Sequence, residues 1–151
     1  MLDDISRSIL RYLQNDPTLA IPELADRVNL TAAQATRRLD KLTEEGIIKG
    51  QEAQINWEAL GFTVQVSLRI TLDKTATRAF DEFQAAAREI AEVLEIQTFL
   101  GRVDVRLSLV ARDLNHYQQV YREQILTLPH IADIEALMTV SEVKRAEVLP
   151  I

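Results

Sequence analysis

The chain has 151 residues, of which 47% are hydrophobic and 26% charged, a balance typical of a folded globular protein that excludes disordered and fibrous classes. It has no cysteine, which excludes disulfides, thiolate nucleophiles and cysteine-based zinc sites, and its two histidines are too few for a histidine-rich metal site. We therefore expect neither a metal nor a cofactor.

The net charge of −6 argues against indiscriminate binding to nucleic acid, because phosphate contacts need local positive charge. Residues 1–56 hold 7 Lys and Arg against 9 Asp and Glu, so even this part of the chain is not basic. One module of this kind would bind DNA weakly, and useful affinity predicts several copies side by side.

The composition also predicts where the protein works. No apolar run is long enough to span a bilayer, and the first eight residues are acidic and polar where a secretory signal would be basic and then apolar. We expect a cytoplasmic protein with no membrane partner.

Two helices followed by a sharp turn are predicted in the first 30 residues. Asp3 or Asp4 can cap a first helix that ends near residues 15–17, and Pro22 can open a second. Asn29 then suits the turn, because asparagine tolerates the left-handed conformation. The apolar positions at helical spacing are Ile5, Ile9, Tyr12 and Leu13 in the first helix and Leu24, Ala25 and Val28 in the second.

A third helix follows, with a core face and a separate basic face. Thr31 and Gln34 form a capping box at its start, and Gly46 ends it. Its core positions are Ala35, Leu39 and Leu42, whereas Gln34, Arg37, Arg38 and Lys41 share another sector. Helices two and three have the layout of a helix-turn-helix, which predicts binding to double-stranded DNA. The candidate DNA-binding residues are Thr31, Ala32, Ala33, Gln34, Thr36, Arg37, Arg38 and Lys41. A solvated charged face is the alternative interpretation.

The pattern then changes from helical to alternating. Residues 47–56 are predicted as a short extended segment that closes a first domain of residues 1–56, before a linker at residues 57–61. Strands at 62–72, 93–100, 103–109 and 131–142 alternate with helices at 76–90 and 113–128. This βαββαβ order predicts a ferredoxin-like domain at residues 62–142, an α+β fold overall, and a tail at 143–151.

Such a domain covers one face of its sheet with helices and leaves the other open. In the first strand the open side carries Thr63, Gln65, Ser67, Arg69 and Thr71, and in the last strand it carries Glu135, Leu137 and Thr139. Ile134, Ala136, Met138 and Val140 are predicted on the helix-covered side. The open face is either solvated or the surface of a self-pairing dimer.

Four motifs occur in order along the chain. They are L-D-x-x-x-R-x-I-L from Leu2, L-A-x-x-V-x-L-[ST] from Leu24, R-x-x-x-L-x-x-x-G-I-I from Arg38, and G-x-x-D from Gly101. With the βαββαβ domain they resemble the Lrp/AsnC family of transcription regulators over nearly the whole chain. The resemblance implies a winged-helix-like DNA-binding domain and a ligand-sensing domain. It also implies dimers formed through the sheet, often assembled into octamers.

Effectors of this family are typically amino acids bound between dimers near the turn after the second sensing-domain strand. The matching positions here are Gly101, Arg102, Val103, Asp104, Leu137, Met138 and Thr139, with a plain hairpin corner as the alternative. Arg102 stands where the family often has an acidic residue. We hypothesise that its guanidinium binds an effector carboxylate while Asp104 accepts from the ammonium. Thr31 and Ala32 replace the Ser-Pro common in the family, so base preference is not inherited.

Two other classes of protein remain possible. A nucleoid-organising DNA-binding protein without an effector would share the fold, and a small ferredoxin-like enzyme would have no DNA role. The sequence lacks a Gly-rich phosphate loop, an HExxH and a GxSxG motif. His116 and His130 have simpler structural explanations than catalysis, and Trp57, Phe80 and Phe83 are interpreted as packing residues. We expect no enzymatic activity.

Overall fold

The computed structural model describes residues 2–145 and 147–151 and divides them into two compact units. The first unit contains the chain up to Gln54 together with Lys144–Ile151, and the second unit is Ile55–Val143. The predicted boundary at residue 56 lies close to the structural one. The end of the chain, however, groups with the first unit and is not a separate tail.

The first unit is a three-helix bundle. Its helices are α1 (Asp4–Asn15), α2 (Ile21–Arg27) and α3 (Ala32–Glu44). Asp3 caps α1, because its carboxylate accepts the Ser6 N–H at 2.8 Å. The fully buried core residues are Ile9 of α1, Leu24 of α2 and Leu42 of α3. Val28, at the end of α2, lies at the edge of this core. This packing fixes the orientation of α3.

Two residues in the left-handed conformation delimit α3. Asn29 has φ 55° in the turn between α2 and α3, as its sequence position predicts, and Gly46 has φ 69° directly after α3. Residues 49–56 then form no regular secondary structure, so the predicted extended segment pairs with no strand. Gln51 Nε2 donates to the Pro17 carbonyl at 2.9 Å and holds this segment on the bundle.

The second unit has the predicted βαββαβ order. After a 3₁₀ turn at Glu58–Leu60 come β1 (Val64–Leu72), α4 (Ala79–Arg88), β2 (Val93–Thr98), β3 (Val105–Ala111), α5 (Leu114–Val120) and β4 (Ile131–Met138). The four strands form an antiparallel sheet in the order β2-β3-β1-β4. Alternate residues of β1 and β3, such as Leu68 and Leu107, are fully buried with Phe83 of α4. The resulting ferredoxin-like fold leaves the other sheet face open.

β4 is shorter than the predicted strand at 131–142. It pairs with β1, which begins at Val64, and the last bond runs from the Thr139 N–H to the Gln65 carbonyl at 2.9 Å. Residues beyond this point have no partner strand. The prediction that Val140 belongs to the helix-covered face is therefore wrong, since its side chain is 99% exposed. Met138 lies on that face but is 45% exposed, because β4 is an edge strand.

The predicted helix at 113–128 divides into two parts. α5 ends at Val120 and continues as a π-helical turn at Tyr121–Ile125, where the Leu126 N–H donates to the Tyr121 carbonyl. Asp113 caps α5 by accepting the His116 N–H at 2.7 Å. The inserted residue rotates the following positions and lets Ile125 reach the core, where it is fully buried.

Candidate nucleic-acid interface and effector turn

The beginning of α3 is fixed by a complete capping box. Thr31 Oγ1 accepts the Gln34 N–H at 3.2 Å, and Gln34 Oε1 accepts the Thr31 N–H at 2.9 Å. Thr36 Oγ1 donates to the Ala32 carbonyl at 2.9 Å. The side-chain oxygens of Thr31, Gln34 and Thr36 thus already have hydrogen-bond partners at the start of the helix. The exposed small residues Ala32 and Ala33 leave the first turn of α3 open to close approach.

Arg37 and Lys41 are the cations that α3 presents to solvent. Arg37 is exposed and makes no hydrogen bond or ion pair with any residue that the structure describes. The Lys41 side chain is 73% exposed, and its ammonium lies 3.7 Å from Glu45, which is a weak solvent-screened pair. Both side chains can therefore reach a phosphate or a base edge without breaking a strong contact.

The Arg38 side chain is directed toward the start of α1, which the prediction did not anticipate. Its guanidinium donates to the Asp3 carboxylate at 2.6 Å and to Ser6 Oγ at 3.1 Å, so it joins α3 to the start of α1. The hydrogen bonds from Arg38 and from the Ser6 N–H hold the pKa of Asp3 well below its usual range. The prediction that Arg38 shares the DNA-facing stripe omitted this partner, which belongs to another helix and is invisible to helical spacing.

The turn between β2 and β3, residues 101–104, is here called the effector turn, and Asp104 anchors it. Asp104 is only 3% exposed. Its carboxylate accepts the Leu72 N–H and pairs with the Lys74 ammonium, each at 2.8 Å, and its own N–H donates to the Ile70 carbonyl. Thr71 Oγ1 donates to the Arg102 carbonyl at 3.1 Å. The effector turn is consequently fastened to the end of β1.

The charge state of Asp104 follows from these contacts. Burial raises the pKa of its carboxyl, but the hydrogen bonds from Lys74 and from the Leu72 N–H outweigh burial and lower the pKa overall. The carboxylate is ionised and both of its oxygens are occupied. The sequence did not predict a role for Lys74, because the burial of Asp104 beside it is visible only in the fold.

The structure does not bring all candidate effector residues together within one chain. Arg102 is exposed on the effector turn, while Leu137 on β4 pairs with Ser67 of β1. Ser67 lies three residues from Ile70, where the turn is fastened, which is about 10 Å along a strand. Met138 and Thr139 lie farther still. In a single chain these two groups occupy separate parts of the sheet.

The two histidines make structural contacts. His116 Nδ1 accepts the Arg112 N–H at 3.1 Å and its Nε2 lies 3.3 Å from Glu92. His130 Nε2 lies 2.6 Å from Glu82 of α4. Within residues 2–145 and 147–151, no cluster of three potential metal ligands occurs. Over the same residues, no helix is long and apolar enough to cross a membrane.

The open face of the sheet carries ion pairs between neighbouring strands. Arg69 of β1 lies 3.7 Å from Glu135 of β4, and Arg106 of β3 lies 3.2 Å from Glu95 of β2. Leu137 stands among these polar residues and is 37% exposed. The face is mixed in character, as the alternation in the sequence predicts.

Comparison with protein families assigns both units. Residues 2–49 match the model of a winged helix-turn-helix DNA-binding domain, and residues 65–149 match the Lrp/AsnC ligand binding domain. A DNA-binding bundle followed by a ligand-binding α+β domain defines a transcription regulator and not an enzyme. The chain belongs to the Lrp/AsnC family.

Individual relatives agree with this assignment. The leucine-responsive regulatory protein of Salmonella typhimurium is 32% identical over 99% of this chain and 92% of its own length. The DNA-binding transcriptional activator DecR of Escherichia coli is 28% identical over 100% of this chain and 99% of its own length. A Neisseria meningitidis transcriptional regulator, NMB0573, solved as a complex with L-Met, has a TM-score of 0.92 and 27% identity over 99% of this chain and 97% of that chain.

Proposed function

We propose that α3 reads a specific duplex DNA sequence, with Arg37 as its principal base or phosphate contact and Lys41 as a second cation. The observation that carries this proposal is the exposed guanidinium of Arg37 beside the small residue Ala33 on a helix whose core side is fixed. Arg38 contributes indirectly by tying α3 to α1. The DNA target makes the cytoplasm the site of action.

Arg37→Ala should weaken binding to DNA without unfolding the first unit. A duplex selected from a random-sequence library by the parent protein provides the probe, and fluorescence anisotropy measures affinity over a series of salt concentrations. Loss of one arginine contact predicts about 10-fold to 100-fold weaker binding and a shallower dependence on salt. Thermal unfolding should be unchanged, because Arg37 has no partner among the described residues.

Arg88→Ala is the matched control, since Arg88 is an exposed arginine at the end of α4 in the second unit. It should bind the selected duplex like the parent. Equal affinity of Arg37→Ala and the parent would contradict the role of α3, and failure of the library to yield any selected sequence would contradict specific recognition.

We further propose that the regulator responds to an amino acid held at the effector turn, in a homodimer that assembles further, up to an octamer. The L-Met complex of the Neisseria relative supports this class of effector. Arg102 is exposed and available for the carboxylate. Asp104 is fully engaged with Lys74 and Leu72, so its role is to hold the turn in shape. This replaces the hypothesis that Asp104 binds the ammonium.

The effector is tested by thermal unfolding of the parent protein with each of the twenty amino acids, beginning with L-methionine. A ligand present at 100 times its dissociation constant should stabilise the protein by about 2.7 kcal/mol. Arg102→Ala should remove most of that stabilisation and Arg88→Ala none of it. If no amino acid changes the unfolding temperature, the effector-independent architectural role becomes the better account.

A further inference from the structure

The two polar atoms of the Gln34 side-chain amide have different surroundings. Gln34 Oε1 accepts the Thr31 N–H at 2.9 Å, whereas Nε2 makes no hydrogen bond with any residue that the structure describes. Because a main-chain N–H only donates, the amide must turn its oxygen toward Thr31, which fixes the orientation of the amide. The exposed side chain of Gln34 therefore offers solvent two N–H donors, while its acceptor is engaged at the start of α3.

Gln34 lies where a reading helix meets base edges. It is the third residue of α3, and it shares with Arg37 and Lys41 a sector about 60° wide. In helix-turn-helix proteins, the first turn of the second helix contacts bases in the major groove. The two residues before Gln34 are the exposed alanines Ala32 and Ala33. Neither of these side chains is long enough to keep a base edge away from the Gln34 amide.

The engaged oxygen changes which base this amide fits. Glutamine ordinarily reads adenine with both atoms, donating to N7 and accepting from the N6 amino group. Here an adenine contact of that kind would compete with the Thr31 N–H for Oε1. Guanine instead presents two adjacent acceptors, O6 and N7, and thymine presents one acceptor at O4. These edges can accept from Nε2 while the capping box stays intact.

We propose that Gln34 is a specificity-determining residue that selects a base with a major-groove carbonyl, guanine or thymine, and discriminates against adenine. This inference rests on the proposed function of α3 and adds to it the kind of base edge that one residue reads. The two atoms of the amide have separate tasks, since Oε1 helps to begin the helix and Nε2 contacts the base.

The engagement of the oxygen is tested without DNA. Gln34→Glu keeps an oxygen for the capping box, because glutamate is equally suited to that position, but it has no N–H to donate. Gln34→Ala removes both functions. Amide hydrogen exchange of Thr31, followed by NMR, should be about fivefold faster in Gln34→Ala than in the parent and unchanged in Gln34→Glu. Equal exchange in Gln34→Ala and the parent would overturn the proposal.

The base preference is tested with the selected duplex. Each of its base pairs is replaced in turn by the other three, and competition binding measures how well the parent and Gln34→Glu discriminate among them. At one position the parent should favour guanine or thymine by about fivefold or more, and Gln34→Glu should lose that preference. Ratios between duplexes are compared, because the added negative charge weakens binding to every duplex alike. Gln118→Glu, the same change at an exposed residue of α5, is the matched control and should keep the preferences of the parent.

Two outcomes would overturn the role of Gln34 alone. One is identical base preferences in Gln34→Glu and the parent, and the other is a preference of the parent for adenine at the position that Gln34 controls. Either outcome would leave the effect of Arg37→Ala on affinity intact. If the parent selects no duplex, or if Arg37→Ala binds like the parent, the proposed function of α3 fails and this inference fails with it.

Discussion

Two adjacent arginines of α3 have different surroundings. Arg37 is exposed and free to contact DNA, whereas Arg38 is bound to Asp3 and Ser6 at the start of α1. Because the folded-state pKa of Asp3 is lowered, its contribution to stability is present above the unfolded-state pKa. That contribution is lost as pH falls through the lower folded-state value. Arg38 therefore keeps α3, the helix proposed to read DNA, in place against the start of α1.

Asp104 is the second residue whose charge supports the fold. Its pKa is lowered in the folded state, so its stabilising effect is complete well above pH 4 and disappears as the carboxylate is protonated in acid. Asp104→Asn should lower the free energy of unfolding near pH 7 and flatten its decline toward pH 3. Asp104→Ala should cost about 1–3 kcal/mol, because it leaves the Leu72 N–H without its acceptor.

Denaturant unfolding followed by circular dichroism at pH 7, 5 and 3 measures these effects. Asp133→Asn, a change at an exposed acid on β4, is the control and should retain the parent's pH profile. Parallel profiles for Asp104→Asn and the parent would show that the carboxylate does not stabilise the effector turn.

At the scale of elements, the sequence predicts best what is encoded by neighbouring residues. The start and end of α3 follow from the Thr31–Gln34 capping box and from Gly46, all within one stretch of chain. Alternating residues likewise predict which side of β1 is buried. These signals are local, and no other part of the chain overrides them.

The remaining features depend on distant partners and could not be predicted. β4 ends at Met138, although the apolar residue Val140 continues the alternating pattern. The direction of the Arg38 side chain depends on Asp3, 35 residues away. The role of Lys74 depends on its ion pair with the buried Asp104, which follows it by 30 residues. A helical or strand period in the sequence describes one element at a time, so it does not reveal contacts between elements.

At the scale of the whole molecule, the open sheet face is the surface through which we propose that two copies of the chain associate. Its ion pairs satisfy most of its charges within one chain, and Leu137 supplies apolar surface among them. A face of this kind can meet a second copy of itself without burying an unpaired charge, which is the condition for a stable symmetric interface. A dimer would also supply two copies of α3. The sequence predicts that more than one copy is needed for useful affinity, because the chain is acidic.

Leu137→Asp should disrupt this association. The new carboxylate would be buried beside its symmetry mate, so multi-angle light scattering should show a shift toward the single-chain mass of 17.1 kDa. Leu114→Asp is the matched control, because Leu114 is an equally apolar exposed residue at the start of α5, away from the open face. An unchanged mass for Leu137→Asp, or an equal loss in both variants, would contradict dimerisation through this face.

The contact between α1 and Leu149, in which Gln14 Oε1 accepts the Leu149 N–H at 2.6 Å, also affects how the protein is made. Gln14 and Leu149 are 135 positions apart, so α1 can fold on the ribosome long before its partner segment is synthesised. At about 5–20 residues per second, the helix waits for several seconds with its binding site empty. A nascent chain would therefore carry a folded α3 before the contact with Leu149 can form. Gln14 gains this partner only after synthesis has passed Leu149.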